Sequence, residues 1–320
     1  MELIGDIVFR MTFTTRHNRY PIYLGLVLPL IALIVAPSNG NQIIKQAMDM
    51  TINFSTSVVE RPAVIYTFYH RIDPKHRSTG MTDEDDAELL SFWKESWMQA
   101  GWKPVVLSLQ DAEKHPQYDS FKHTVDSLHL DEFSTLLFTR WIAMAGVDGG
   151  GWYADYDVFP LTNFTTELPN NGTMTIHDIM SPTLASGTDG QWMNTLNALL
   201  DDAVETKKSK EAREKELMFW TDSLGILNLV TKCTKNPRCP LRAKRVAMPY
   251  GAKDPIVTSA GCDSKSFRSR WVVHFGQEMM QAAEFVPPHL RLPNGRLLLA
   301  RDWLPQWREK CYQPSEILVS

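Results

Sequence analysis

The sequence predicts an α/β domain built on a mixed, mainly parallel sheet and preceded by one transmembrane helix. Three observations carry that reading. Residues 20–36 (YPIYLGLVLPLIALIVA) hold no charge. Residues 62–109 read strand, helix, strand, the order of a βαβ unit with parallel strands. Residues 149–160 (GGGWYADYDVFP) place three glycines and two aspartates directly after an amphipathic helix.

The apolar run is short against the ~20 residues that span a bilayer, but its flanks extend it. Pro29 falls mid-run and should kink the helix. Arg10, Arg16 and Arg19 precede the run, whereas Lys45 alone follows at comparable distance. The positive-inside rule then gives a cytoplasmic tail at 1–19, a signal-anchor at 20–37, a polar stem at 38–60 and a lumenal domain at 61–320. Three Asn-x-Ser/Thr triplets, at Asn53, Asn163 and Asn171, agree with a lumenal placement. A cleaved signal peptide, cut between Ala36 and Gly40, is the alternative. The net charge of −4, with 22% charged and 43% hydrophobic residues, describes an ordinary globular chain and excludes a globally basic nucleic-acid binder.

Within the lumenal part, residues 62–69 (PAVIYTFY) are β-branched and aromatic and predict a first strand. Thr82 followed by acids predicts a helix N-cap with first-turn carboxylates favoured by the dipole. Leu89, Leu90, Trp93 and Trp97 recur at helical spacing, and Gly101 ends the helix. Residues 104–109 (PVVLSL) form a second strand. A helix follows over 131–146, a short strand over 173–176, and a helix over 191–217 ending in a solvated charged run. Residues 271–275 (WVVHF) read as a late buried strand, and 302–310 as a closing amphipathic helix. The four cysteines, Cys233, Cys239, Cys262 and Cys311, suit two disulfides in a lumenal domain; 233 with 239 and 262 with 311 is the favoured pairing, and four buried thiols the alternative.

The chemistry concentrates at Asp155 and Asp157. Two apart on an extended run, they project from one strand face. Paired carboxylates need a cation or hydrogen bonds to offset their repulsion, and hard oxygen ligands suit Mn²⁺ or Mg²⁺. On that reading, Asp157→Ala relieves repulsion, and stability without metal holds or rises. Neutral imidazole is a further ligand type, which makes His274 a candidate, although a hydrogen-bonded core histidine fits equally. Asp222 either caps a helix beginning near Leu224 or belongs to the site.

The arginine-bearing helix, then Gly150-Gly151-x-Tyr153-x-Asp155-x-Asp157-Val158 and Pro160-Leu161, resembles the DXD-containing sugar-transferase family. That family includes the outer-chain-initiating mannosyltransferase and the α-1,4-galactosyl- and N-acetylglucosaminyltransferases. The resemblance is closest over 62–162. It implies a GT-A-type, Rossmann-like nucleotide-sugar domain, retaining transfer, Mn²⁺ or Mg²⁺ as cofactor, and a single-pass type II Golgi membrane protein. It further implies a UDP- or GDP-sugar donor and a glycan or glycoconjugate acceptor, with no nucleic-acid partner. Residue by residue it implies donor contacts from Tyr66, Arg140, Gly150, Gly151, Tyr153 and Asp155. It assigns metal ligation to Asp155, Asp157 and His274, and catalytic roles to Asp155, Asp157 and an acceptor-side Asp222. Leu137 stands where the family commonly has Asp. Two other readings stay open: a phosphohydrolase or phosphotransferase with Asp155 as nucleophile, and a catalytically silent glycan-binding homologue.

Overall fold

The computed structural model describes residues 63–73, 81–178, 181–208, 221–233, 241–243, 247–249, 270–276, 288–292 and 294–311. They belong to one compact unit, Arg61–Ser320. The tail, the apolar run at 20–37 and the stem lie outside the described residues. Among the described residues no helix is long and apolar enough to cross a membrane.

The predicted βαβ unit is present. Strand β1 (Val64–Phe68) pairs in parallel with β2 (Lys103–Leu107), and helix α1 (Asp83–Gln99) crosses between them. Thr82 and Asp85 form a reciprocal capping box at the start of α1. Its buried stripe runs Leu89, Trp93, Trp97, as the spacing requires, but begins one step earlier at Asp86. Two short helices that the sequence reading missed follow, α2 (Leu109–Glu113) and α3 (Tyr118–Leu128), the latter ending on His129 in the left-handed region. Helix α4 (Glu132–Ala145) is capped by Asp131, whose carboxylate accepts from Ser134 N–H at 2.7 Å.

Strand β3 (Gly151–Ala154) pairs with β1 in parallel and with β6 (Leu184–Gly187) antiparallel. Strands β5 (Thr175–Ile176) and β7 (Arg242–Ala243) complete a six-stranded sheet of order β2-β1-β3-β6-β5-β7. The fold is therefore α/β with a mixed, mostly parallel sheet. Strand β4 (Val158–Pro160) leaves it and joins β9 (Val272–His274) and β8 (Ala247–Pro249) in a second, three-stranded sheet.

Alternation along β3 sorts the core into two layers. Tyr153 faces α4, α5 (Asp189–Lys208) and α6 (Asp222–Cys233). Trp152 and Ala154 face α1, the second sheet and the last helix, α7 (Gly295–Cys311). That second layer is aromatic: Phe164 stacks on Trp271 at 4.9 Å, and Trp97 donates to the Val158 carbonyl at 3.1 Å. The expected helix over 191–217 begins earlier, at Asp189, and is described to Lys208. The closing helix begins at Gly295 rather than near 302. Cys233 is disulfide-bonded, while the other three cysteine side chains fall outside the described residues.

Candidate metal centre

One tight turn separates β3 from β4, and the two aspartates sit in it. Asp155 N–H bonds to the Thr183 carbonyl at 2.9 Å, the last rung against the β6 side. Val158 N–H then bonds back to the Asp155 carbonyl at 2.9 Å, closing a tight turn over 155–158. Phe275 N–H bonds to the Asp157 carbonyl, also at 2.9 Å, tying the turn to β9. This corrects the expectation of a shared strand face. The carboxylates converge because the backbone turns as it passes from one sheet to the other.

The turn follows the C-terminal end of β3, and β1 lies beside β3. Since β2 flanks β1 on one side and β3 on the other, the winding reverses there, and open α/β sheets place ligands in the crevice at such a point. Tyr69, at the end of β1, meets Tyr156 edge-to-face at 5.9 Å across that crevice. Tyr66 instead lies in register with Tyr153, its ring against Gly151.

The glycines are required sterically. Gly150 has φ +75°, and a Cβ there would sit 2.2 Å from the Gly187 carbonyl oxygen. A Cβ on Gly151 would approach the Tyr66 ring to 2.9 Å. Gly276 leaves room for the His274 imidazole, which a Cβ would meet at 2.8 Å.

Asp155, Asp157 and His274 bring their ligand atoms within 4.8 Å of one another. An ion with ~2.1 Å bonds sets neighbouring ligands ~3 Å and opposite ligands ~4.2 Å apart, so this set must draw in by up to ~2 Å to hold Mg²⁺ or a cation like it. The donor set, two carboxylates and one imidazole, suits Mn²⁺ as well. The three side chains keep 19%, 11% and 17% of their surface, whereas Arg140 beside them keeps 7% and Asp222 none. Asp155 and His274 are part-exposed, while Asp157 and the supporting Arg140 and Asp222 are buried.

Two arginines stand behind the carboxylates. Arg140, on α4, donates to Asp155 at 2.6 Å and, through its other nitrogens, to Asp222 at 2.8 and 2.5 Å. Tyr153 adds a hydroxyl donor to the same Asp155 oxygen at 2.7 Å. Asp222 is the first residue of α6 rather than a cap for a helix starting near 224; Thr221 takes the capping position, with its hydroxyl 3.4 Å from Leu224 N–H. Trp141 Nε1 also donates to Asp222 Oδ2, at 2.7 Å, while Oδ1 is buried without a hydrogen-bond partner among the described residues. Arg296, on α7, donates to Asp157 Oδ2 at 3.1 Å, and His274 Nε2 lies 3.4 Å from Oδ1. Arg296 also lies over the Tyr156 ring, 5.6 Å from its centroid, and 3.5 Å from the Tyr156 hydroxyl. That hydroxyl is 3.5 Å from Asp86, which also accepts from Tyr69 at 3.3 Å.

These pairings set the charge states. Burial disfavours the Asp157 anion, but His274 and Arg296 more than offset it and hold its carboxyl below the usual range. Burial likewise opposes protonation of His274, yet Asp157, Asp155 and Asp178 raise its pKa. Asp155 is pushed up, by burial first and by the Asp157 charge, against the pull of Arg140. Burial opposes the charge on Arg140 too, but Asp155 and Asp222 keep it well above its ordinary value.

The structure thus brings Arg140, Tyr153, Asp155, Asp157, Asp222 and His274 into one network and sets Gly150 and Gly151 as its backbone support. The profile of a domain of unknown function, DUF8765, matches residues 48–220, more than half of the 320-residue chain. The chain belongs to the DUF8765 family. Both aspartates and Arg140 fall inside the DUF8765 match, whereas Asp222, His274 and Arg296 lie beyond its end. No curated protein matches the chain.

Arg296 and Asp86 were missed from sequence. Asp86 carried a readable signal, a carboxylate on the apolar stripe of α1. Arg296 carried none, being 139 residues from its partner. A shallow pocket lined by Gln99, Leu161, Asn163 and Arg308 contains none of these residues.

Proposed function

We propose that the protein transfers a sugar from a UDP- or GDP-sugar to a hydroxyl of a glycan or glycoconjugate, using Mn²⁺ or Mg²⁺ held by Asp155, Asp157 and His274. One observation carries the reading: a three-ligand carboxylate–imidazole cluster, buried at Asp157 and part-exposed at Asp155 and His274, at the C-terminal edge of parallel strands where the sheet's winding reverses. A divalent ion there would neutralise the charge that develops on a leaving diphosphate. The protein's own residues do the positioning. Asp222 fixes Arg140 through two hydrogen bonds, so the guanidinium presents its remaining edge to Asp155. Tyr153 orients the same carboxylate. Tyr69 and Tyr156 form an aromatic wall on the β1 side, where a nucleotide base can stack. Retention at the sugar carbon, a Golgi membrane location and the type II anchor are what the resemblance and the N-terminal sequence add to this proposal.

The test is a thermal-shift screen of UDP- and GDP-sugars with and without Mn²⁺, followed by donor hydrolysis. Stabilisation by one donor that requires the metal, and hydrolysis abolished by EDTA, are expected. Release of phosphate from simple esters with no response to any sugar nucleotide would support the phosphohydrolase reading instead.

A further inference from the structure

Each metal-facing carboxylate already has a buried counter-cation. Asp155 is bonded to Arg140, and Asp157 to Arg296. Arg140 has a second anion in Asp222, so its charge is shared. Among the described residues Arg296 has no equivalent: besides Asp157 it approaches the neutral Tyr156 hydroxyl, with Asp86 one step further on. Its Nε is buried with no hydrogen-bond partner among the described residues. Arg296 therefore acts chiefly on Asp157, and it does so at Oδ2, leaving Oδ1 towards His274.

We infer that Arg296 is a positioning and charge-balancing residue that makes divalent-cation binding depend on a diphosphate anion. The inference rests on the metal–diphosphate reading above. A fixed guanidinium on one oxygen of Asp157 leaves that carboxylate a single-oxygen ligand of reduced net charge. A bare divalent ion at the cluster then meets a buried positive charge within one side chain's length, in surroundings that screen it poorly. A diphosphate brings the missing negative charge and gives both cations a shared partner. The centre thus favours the cation–diphosphate pair and holds the free ion weakly, which keeps it from filling with metal between substrates.

The experiment titrates the full-length protein with Mn²⁺ alone, and then with Mn²⁺ plus pyrophosphate or UDP, following free Mn²⁺ by electron paramagnetic resonance. Wild-type protein should bind Mn²⁺ alone weakly and tighten by about tenfold to a hundredfold with either anion, the usual span of coupling between two ligands. Arg296→Gln should bind bare Mn²⁺ about tenfold more tightly and lose a matching part of the anion's effect. Arg296→Lys keeps the charge and should stay near wild type, which a purely structural role for the arginine would not give. The inference is overturned if Arg296→Gln binds bare Mn²⁺ no better than wild type, or if the lysine variant behaves like the glutamine one, while the wild-type anion effect stands. Wild-type protein that takes up no Mn²⁺ with or without anion would overturn both this inference and the metal-dependent reading.

Discussion

Asp157→Ala should destabilise the metal-free protein, the reverse of what paired like charges suggest. In the folded chain Asp157 is not an isolated anion beside Asp155. It is 8% exposed, bonded to Arg296 at 3.1 Å and paired with His274 at 3.4 Å. Truncation leaves Arg296, 4% exposed, with a neutral hydroxyl at 3.5 Å and an Nε already unpartnered among the described residues. Removing one partner of a buried ion pair costs about 3–5 kcal/mol, because the surviving charge stays desolvated. The nearness of Asp86 through Tyr156 places this case at the lower end, about 3 kcal/mol. For a domain of this size a kilocalorie shifts Tm by roughly 2–4 °C, so the expected loss is about 6–12 °C. Scanning calorimetry in EDTA measures it. The double variant Asp157→Ala/Arg296→Met should recover most of the loss, since replacing a whole buried pair with apolar groups is often neutral. A Tm for Asp157→Ala equal to or above wild type in EDTA would refute the argument and show that repulsion between the aspartates outweighs the loss of the ion pair.

Three further outcomes are expected. Asp222→Ala should cost about 3 kcal/mol in chemical denaturation by stranding Arg140 and Trp141 Nε1, whereas Asp222→Asn should retain the Trp141 bond and cost less; equal losses would show that the charge is unimportant. Gly276→Ala should push the His274 ring, which a new Cβ would meet at 2.8 Å, and weaken Mn²⁺–pyrophosphate binding without removing either aspartate; unchanged affinity would take His274 out of the ligand set. The pKa of His274 is raised above its ordinary value of 6.5, so its charge stabilises the metal-free fold fully below about pH 6.5 and that contribution is lost as pH rises through the folded value. Metal needs the neutral imidazole, so Mn²⁺ affinity should climb over the same interval, and a His274→Gln variant should flatten both trends. The Asp157 contribution, with its pKa lowered, fades only in acid.

What the sequence disclosed was local. The N-cap at Thr82, the stripe of α1, the helix over 131–146 and the late strand around His274 each rest on neighbours within a turn or a few residues. Asp155, Asp157 and His274 were legible because their residue types carry the chemistry on their face, and Arg140 only through the family resemblance. The turn at 155–158 was misread as strand, since alternation and a tight turn both bring residues two apart to one side. What settles it is the hydrogen bond from Phe275, beyond a distant strand, to the Asp157 carbonyl. Arg296 and the partnership of Asp222 with Arg140 were invisible for the same reason, their contacts spanning 139 and 82 residues. Helix α2 escaped because it spans only five residues, whereas α3 carried an unread stripe of Phe121, Val125 and Leu128 at helical spacing.

The aspartate turn also sits at a seam. Its first residue is pinned to β6 and its last carboxylate-bearing residue to the segment after β9, so one short span of backbone stitches two sheets whose described strands do not otherwise pair. Any ligand that draws Asp155, Asp157 and His274 together pulls on both sides of that seam at once. Occupancy should accordingly be felt as stiffness: slower amide exchange at Val158 and Phe275, the two N–H groups closing the stitch, with the outer strand β2 left unchanged. A metal centre built this way would be a rivet as well as a ligand set, and slippage between the sheets would register first as a lost metal.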